Sequence, residues 1–164
     1  MLNSQKLSKK LLEACFEKNI KLLTAESCTG GLLSANITGI AGSSRVFSYG
    51  FICYSNESKR KFLNVNDKTI NSFGAVSFET VKQMLIGLCK QATSKTLTIA
   101  ISGVAGPSGS ESKPVGLVFI GVKMSSCGTE KITELNFGNI ERKKIQKKSV
   151  HEALKMGLHI IRDT

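Results

Sequence analysis

Three side chains in the middle of the sequence are of the types needed to attack a carbonyl group. Ser44 lies in a Gly-Ser-Ser loop, Tyr54 lies at the end of the next predicted strand, and Lys59 lies one helical turn further on. A serine becomes a nucleophile when a base removes its proton, and lysine can replace histidine in that role. Lys59 would need a pKa lowered from about 10.4 toward about 7, which burial and a neighbouring cation such as Arg142 would supply. Tyr54 would orient the lysine or relay a proton.

The same residues also have ordinary structural interpretations. Lys59 stands beside Arg60 and Lys61, and the usual environment of such a lysine is solvent. Cys28 is a rival nucleophile, because a helix N-terminus can lower the pKa of a thiol. No histidine lies near Cys28 in the sequence, which favours a buried core thiol instead.

Two loops rich in Ser, Thr and Gly follow predicted strands. One covers residues 24–31 and the other residues 102–114. Ligands bind at strand ends in open α/β sheets, and exposed backbone N–H groups there favour phosphate or carboxylate. A tight turn or an ordinary surface loop is the structural alternative. The candidate ligand-binding residues in these loops are Glu26, Ser27, Thr29, Gly30, Gly31, Ser102, Gly103, Ala105 and Gly106.

Hydrophobic periodicity predicts the order α-β-α-β-α-α-β-β-β-α. Ser4 is expected to cap the first helix, and a basic helix is expected to begin at Asn139. Residues 115–123 and 131–137 predict strands joined by a hairpin through residues 125–130. Alternating helices and strands followed by a hairpin favour a three-layer α/β/α sandwich with a mixed, mostly parallel sheet.

Composition predicts one domain over residues 1–164. The chain is 41% hydrophobic and 21% charged, which is typical of a folded soluble protein. Its apolar runs are too short for a membrane span, and residues 1–19 lack the apolar segment of a signal peptide. Five cysteines without a CxxC pair and two histidines fit neither a disulfide framework nor a zinc site. We therefore expect a cytoplasmic protein with neither metal nor cofactor.

A net charge of +11 suggests an anionic partner, or only a solvated basic surface. Arg142 opens a basic run that could bind phosphate, although such runs are usually exposed helix faces. Nucleic acid is disfavoured, because no aromatic residues are interleaved with the basic ones as a stacking platform.

Six motifs along the chain resemble those of the CinA C-terminal domain family, in the same order and with similar spacing. They are TAESCTGG (24–31), AGSS (41–44), YSNESK (54–59), GAVS (74–77), SGVAGP (102–107) and KPVG (113–116). The resemblance continues more weakly to Arg142 and Ile145. It implies a nicotinamide-nucleotide amidohydrolase that converts nicotinamide mononucleotide to nicotinate mononucleotide and ammonia. Because the chain starts where that domain starts in longer family members, the stand-alone form is expected.

The resemblance also implies roles for individual residues. Ser44 would be the nucleophile, Tyr54 and Lys59 would complete the centre, and Arg142 would help to bind the substrate. Two departures from the family pattern stand out: the GPSGSESKPVG loop is one residue shorter than usual, and Gln146 replaces an arginine. These departures favour an alternative to the amidohydrolase, namely a non-catalytic nucleotide-binding or regulatory module. Assembly into a homo-oligomer is left open.

Overall fold

The computed structural model describes residues 2–110, 112–126 and 128–164, so Glu111 of the second loop and Cys127 of the hairpin lie outside the described residues. The helices are α1 (Leu2–Glu17), α2 (Leu32–Thr38), α3 (Asn56–Leu63), α4 (Asp67–Phe73), α5 (Phe78–Lys90) and α6 (Arg142–Arg162). The strands are β1 (Lys21–Glu26), β2 (Phe47–Ile52), β3 (Thr96–Gly103), β4 (Leu117–Met124) and β5 (Glu130–Asn136). A short 3-10 turn, Ser43–Arg45, precedes β2.

The strands form one five-stranded sheet in the order β2-β1-β3-β4-β5. β1 pairs in parallel with both β2 and β3, whereas β4 is antiparallel to β3 and to β5. β1, β2, β3 and β5 therefore run in one direction and β4 runs against them. As a result, the loops that follow β1, β2 and β3 all emerge at the same edge of the sheet.

Helices cover both faces of the sheet because its central strands are apolar on both sides. Along β3, Leu97 and Ile99 pack with α1 and α6 in one core cluster, while Ala100 packs with α5 in the other. Burial on both faces is typical of parallel strands between helical layers. The predicted three-layer α/β/α sandwich with a mixed sheet is confirmed.

Several element boundaries differ from the predictions. Helix α4 was not predicted, since Ile70 is its one buried aliphatic residue and leaves no periodic pattern. Ser4 lies inside α1 and does not cap it, because the helix already begins at Leu2. Helix α6 begins at Arg142 and not at Asn139, which places this arginine in the first turn of the helix.

Gly87 lies where α5 crosses the end of α3, and it allows the two backbones to approach closely. A Cβ atom on Gly87 would overlap the carbonyl oxygen and Cα of Leu63. We expect Gly87→Ala to lower the free energy of unfolding by about 2 kcal/mol, because the clash is with backbone and outweighs alanine's better helix propensity. Urea denaturation measures this effect. Lys82→Ala, on the exposed face of the same helix, serves as the control, and equal stability of both variants would contradict the prediction.

Candidate active site

A polar cavity of about 380 Å³ opens at the edge of the sheet where β1, β2 and β3 end. Each of the loops that follow these strands contributes to its wall, and Arg142 at the start of α6 closes one side. The lining residues are Ser27, Cys28, Tyr54, Asn56, Lys59, Ala75, Val76, Ser102, Gly103, Val104, Ala105, Gly106, Ser108, Gly109, Ser110 and Arg142. The carboxyl end of parallel strands is where open α/β sheets bind ligands, so the cavity lies where the fold predicts it.

Lys59 is the most unusual residue of the cavity wall, since its exposed fraction is 1%. It lies on the inner face of α3, one turn before the buried Leu63. Its Nζ lies 3.1 Å from Ser27 Oγ, 2.9 Å from the carbonyl oxygen of Cys53 and 3.4 Å from that of Tyr54. The expected burial is thus observed, and the surface interpretation of Lys59 is wrong.

The structure does not bring Ser44 together with Lys59 in one chain. Ser44 is exposed in the 3-10 turn before β2, near the beginning of β1, where Lys21 Nζ donates a 2.7 Å hydrogen bond to the Arg45 carbonyl. Lys59 follows the other end of β2. Six residues of strand, at about 3.3 Å each, separate the two ends by about 20 Å. A nucleophile at Ser44 therefore remains a prediction that the geometry of a single chain does not satisfy.

Tyr54 and Arg142 meet on the rim of the cavity. The guanidinium group donates a 2.9 Å hydrogen bond to the Tyr54 hydroxyl and a second hydrogen bond to the carbonyl oxygen of Gly106. Arg142 thus joins the loop after β3 to the end of β2. The predicted contact between the Tyr54 side chain and Lys59 is replaced by this pairing with Arg142, and it is the Tyr54 main chain that contacts the lysine.

The Glu26 carboxylate, predicted to bind ligand, is instead used within the fold. It is fully buried and accepts hydrogen bonds from the backbone N–H groups of Gly31, Leu33 and Ser34 and from the Ser34 hydroxyl. A carboxylate that accepts this many bonds at a helix start fixes that end of the helix. Glu26 is therefore a positioning residue for the loop after β1.

Three more of the predicted ligand contacts, Thr29, Gly30 and Gly31, are not among the cavity-lining residues. Gly30 and Gly31 have φ angles of +59° and +96°, values that favour glycine. They turn the chain from β1 into α2, so their role is conformational. Thr29 is buried, and its hydroxyl makes no hydrogen bond with any residue that the structure describes.

The loop after β3 supplies the predicted contacts Ser102, Gly103, Ala105 and Gly106, all of which line the cavity. Ser102 is buried and its hydroxyl donates a 2.7 Å hydrogen bond to the Ala75 carbonyl, which ties this loop to the segment before α5. The backbone that follows Ser102 therefore forms a fixed wall of the cavity.

Gln146, the residue that departs from the family pattern, anchors the loop after β1. Its Nε2 donates a 2.9 Å hydrogen bond to the Cys28 carbonyl. The amide thus holds the loop in place, but it supplies no charge for a phosphate. Among the cavity-lining residues, Arg142 and Lys59 carry the basic groups.

Cys28 behaves as a core thiol and not as the rival nucleophile. Burial raises its pKa to about 12, so the thiol keeps its proton at neutral pH. We expect iodoacetamide at neutral pH to leave Cys28 unmodified in the folded protein and to alkylate it after denaturation. Peptide mass spectrometry measures both states. Rapid alkylation of Cys28 in the folded protein would contradict this prediction.

Asn56, Ala75 and Val76 line the cavity but were not predicted as contacts. All three belong to the motifs YSNESK and GAVS, so membership of these motifs could have identified them as cavity residues.

Across the described ranges, no three His, Cys, Asp or Glu side chains form a group able to hold a metal ion. Nor does any described helix have the length and apolarity needed to cross a membrane.

Comparisons with known proteins agree with this fold. A family model, the CinA C-terminal domain, matches residues 4–161. A CinA-like protein of Prochlorococcus marinus is 40% identical over 153 residues, which cover 93% of this chain and 36% of that relative. A competence-damage inducible protein of Caldicellulosiruptor saccharolyticus is 48% identical over 74% of this chain and 29% of its own length. The chain therefore corresponds to a minor part of these longer relatives.

Solved structures match over nearly the whole chain. The competence/damage inducible protein CihA from Agrobacterium tumefaciens has a TM-score of 0.91 and 37% identity, over 98% of this chain and 96% of that one. A competence-damaged protein (CinA) superfamily protein from Klebsiella pneumoniae has a TM-score of 0.92 and 28% identity, over 98% and 99% of the two chains.

Proposed function

The chain belongs to the CinA C-terminal domain family, and on this basis we propose that it hydrolyses the amide of a nicotinamide nucleotide. The substrate would be nicotinamide mononucleotide, and the products nicotinate mononucleotide and ammonia. The observation that carries the proposal is the buried amine of Lys59, which lies at the wall of a polar cavity within hydrogen-bond distance of a hydroxyl.

Amide hydrolysis needs a base, an acid for the leaving nitrogen and donors for the developing oxyanion. Lys59 supplies the first two in turn, since a neutral amine that accepts a proton becomes the acid that protonates the departing ammonia. Backbone N–H groups of Ala105 and Gly106, at the same cavity, are suited to the oxyanion. Such preorganised donors are each worth about 3 kcal/mol of transition-state stabilisation.

The part of the cavity wall at Arg142 suits the ribose phosphate. Arg142 carries a planar, permanently charged group on the rim, and arginine binds phosphate oxygens through paired N–H donors. A volume of about 380 Å³ falls in the range typical of small-molecule sites. The substrate would therefore lie with its amide toward Lys59 and its phosphate toward Arg142.

Ammonia release from nicotinamide mononucleotide tests the proposal. We expect release with the mononucleotide and none with nicotinate mononucleotide, which lacks the amide. Nicotinamide riboside, which lacks the phosphate, should react with a higher KM. If calorimetry shows that the nucleotide binds and no ammonia appears, the domain is a non-catalytic nucleotide-binding module and the proposal is wrong.

A further inference from the structure

A second polar cavity, of about 510 Å³, adjoins the candidate active site. The residues that line it include Asn56, Asn71, Ser72, Phe73, Ser112 and Lys113. Asn56 also lines the active-site cavity, so the two cavities share a wall. We call the second one the outer cavity, and we propose that it binds the nucleoside monophosphate half of a pyridine dinucleotide whose other half occupies the active-site cavity. The identity of that other half rests on the proposed function, whereas the outer cavity can be tested without it.

The two cavities are neighbours along the loop after β3 as well as at Asn56. The tip of this loop is a narrow turn, in which the Ser110 N–H donates a 3.1 Å hydrogen bond to the Lys113 carbonyl and the Lys113 N–H donates one of 2.7 Å to the Ser110 carbonyl. Ser110 lines the active-site cavity and Lys113 lines the outer cavity. A ligand that extends past Asn56 and this turn from one cavity therefore enters the other.

Phe73 offers the outer cavity a flat apolar surface. It is the last residue of α4, and 49% of it is exposed although it is a large aromatic residue. The base of a nucleoside stacks on such a ring whatever its identity, because every base has a π-face. Asn71 and Ser72, on the same wall, carry an amide and a hydroxyl that can donate to and accept from the polar edge of a base. The outer cavity thus combines a stacking surface with polar groups, as a heteroaromatic ligand requires.

Lys113 gives the outer cavity a positive charge. Among the described residues that line this cavity it is the one charged side chain, and it lies at the turn that borders the active site. Arg142 is assigned to the phosphate of the mononucleotide, so Lys113 is left for a second phosphate. A dinucleotide presents its groups in the order pyridine, phosphate, phosphate, base. Arg142, Lys113 and Phe73 would meet the two phosphates and the base in that order, whereas a mononucleotide would fill the active-site cavity alone.

Calorimetry with two ligands that lack the hydrolysable amide tests the outer cavity in the wild-type protein. Nicotinate mononucleotide and nicotinate adenine dinucleotide differ by the adenylate half alone. We expect the dinucleotide to bind about 10-fold more tightly, because a second group on the same ligand binds at a high effective concentration. Phe73→Ala and Lys113→Ala should each bring the two dissociation constants within about two-fold of each other and leave that of the mononucleotide unchanged. AMP, which carries the same half, should bind weakly by itself, and both substitutions should abolish its binding.

Two matched variants show whether the effect is local. Phe78→Ala removes an exposed ring at the start of α5, and Lys68→Ala removes an exposed charge from α4, and neither residue lines the outer cavity. Both variants should keep the preference for the dinucleotide. An equal loss in Lys68→Ala and Lys113→Ala would show that net charge attracts the second phosphate, and it would overturn the proposal.

The outcomes also separate the outer cavity from the proposed hydrolysis. Equal binding of the two ligands by the wild type would overturn the proposal, as would substitutions that weaken both ligands alike, which would assign Lys113 and Phe73 to the mononucleotide. Ammonia release from nicotinamide mononucleotide together with equal binding would leave the hydrolysis standing and reject the outer cavity as a subsite. AMP binding that depends on Phe73 and Lys113, without ammonia release, would support the subsite and reject the hydrolysis.

Discussion

Replacing Lys59 with methionine is expected to lower kcat for amide hydrolysis by about 10³-fold, the usual contribution of a positioned general base. The variant should still fold, because methionine has a similar length and its apolar side chain suits a position that is 1% exposed. Ammonia release under saturating nicotinamide mononucleotide measures the effect. KM should change little, since Lys59 is proposed to act on the amide end of the substrate and not on its phosphate.

Two further variants show whether Lys59 acts as a base or only as a positive charge. Lys61→Met, on the exposed side of the same helix, is the matched control and should keep wild-type activity. Lys59→Arg keeps the charge but cannot give up its proton near neutral pH, so it should be as inactive as Lys59→Met. Substantial activity in Lys59→Arg would show that the charge is sufficient and would contradict the role as a base.

The sequence predicted the sheet and most helices because these elements have strong local signals. The TLTIAIS segment is almost continuously apolar, and it forms the central strand β3. Ser77 precedes an apolar stripe and caps α5, where its side chain accepts from the Thr80 N–H. Helix α4 lacks such a stripe, and only its Asn66 cap and the following Gly74 mark it. Patterns that depend on burial were thus visible, whereas a short polar helix was not.

The candidate site was predicted as a set of loops but not as a set of contacts. Ser44 precedes β2 and Lys59 follows it, so a strand that runs parallel to β1 must separate them. The separation of Ser44 from Lys59 therefore follows from the order of the chain once residues 47–52 are assigned to a strand of the sheet. The proximity of Ser27 to Lys59 depends on pairing between β1 and β2, which are distant in the sequence. No local pattern contains that information.

Glu26 illustrates a different limit. Its place in the TAESCTGG motif suggested ligand binding. The carboxylate instead accepts hydrogen bonds from the backbone N–H groups of Gly31, just before α2, and of Leu33 and Ser34 within it. Part of the TAESCTGG motif therefore determines the shape of the turn between β1 and α2. A carboxylate shortly before a Gly-Gly turn and a helix is consistent with helix capping, and it indicates a residue that fixes the turn between β1 and α2.

Replacing Arg142 with alanine is expected to raise KM for nicotinamide mononucleotide by about 10- to 100-fold, since a charged hydrogen bond contributes about 1.5–3 kcal/mol. Arg142 lies on the rim of the cavity, where it contacts the Tyr54 hydroxyl and the Gly106 carbonyl. A phosphate held equally in the ground state and the transition state affects KM more than kcat. Steady-state ammonia release over a range of nucleotide concentrations measures both constants.

A matched variant and a matched substrate make this expectation specific to the phosphate. Lys143→Ala removes the same charge from the next residue of α6, which is exposed and does not line the cavity, and it should leave KM unchanged. Nicotinamide riboside has no phosphate, so Arg142→Ala and the wild type should hydrolyse it equally well. If both variants raise KM alike and added salt removes the difference, attraction by the net charge of +11 binds the substrate and Arg142 has no directed role. If instead hydrolysis of the riboside falls as far as that of the nucleotide, Arg142 acts by holding Tyr54 and the Gly106 loop in place, and not by binding phosphate.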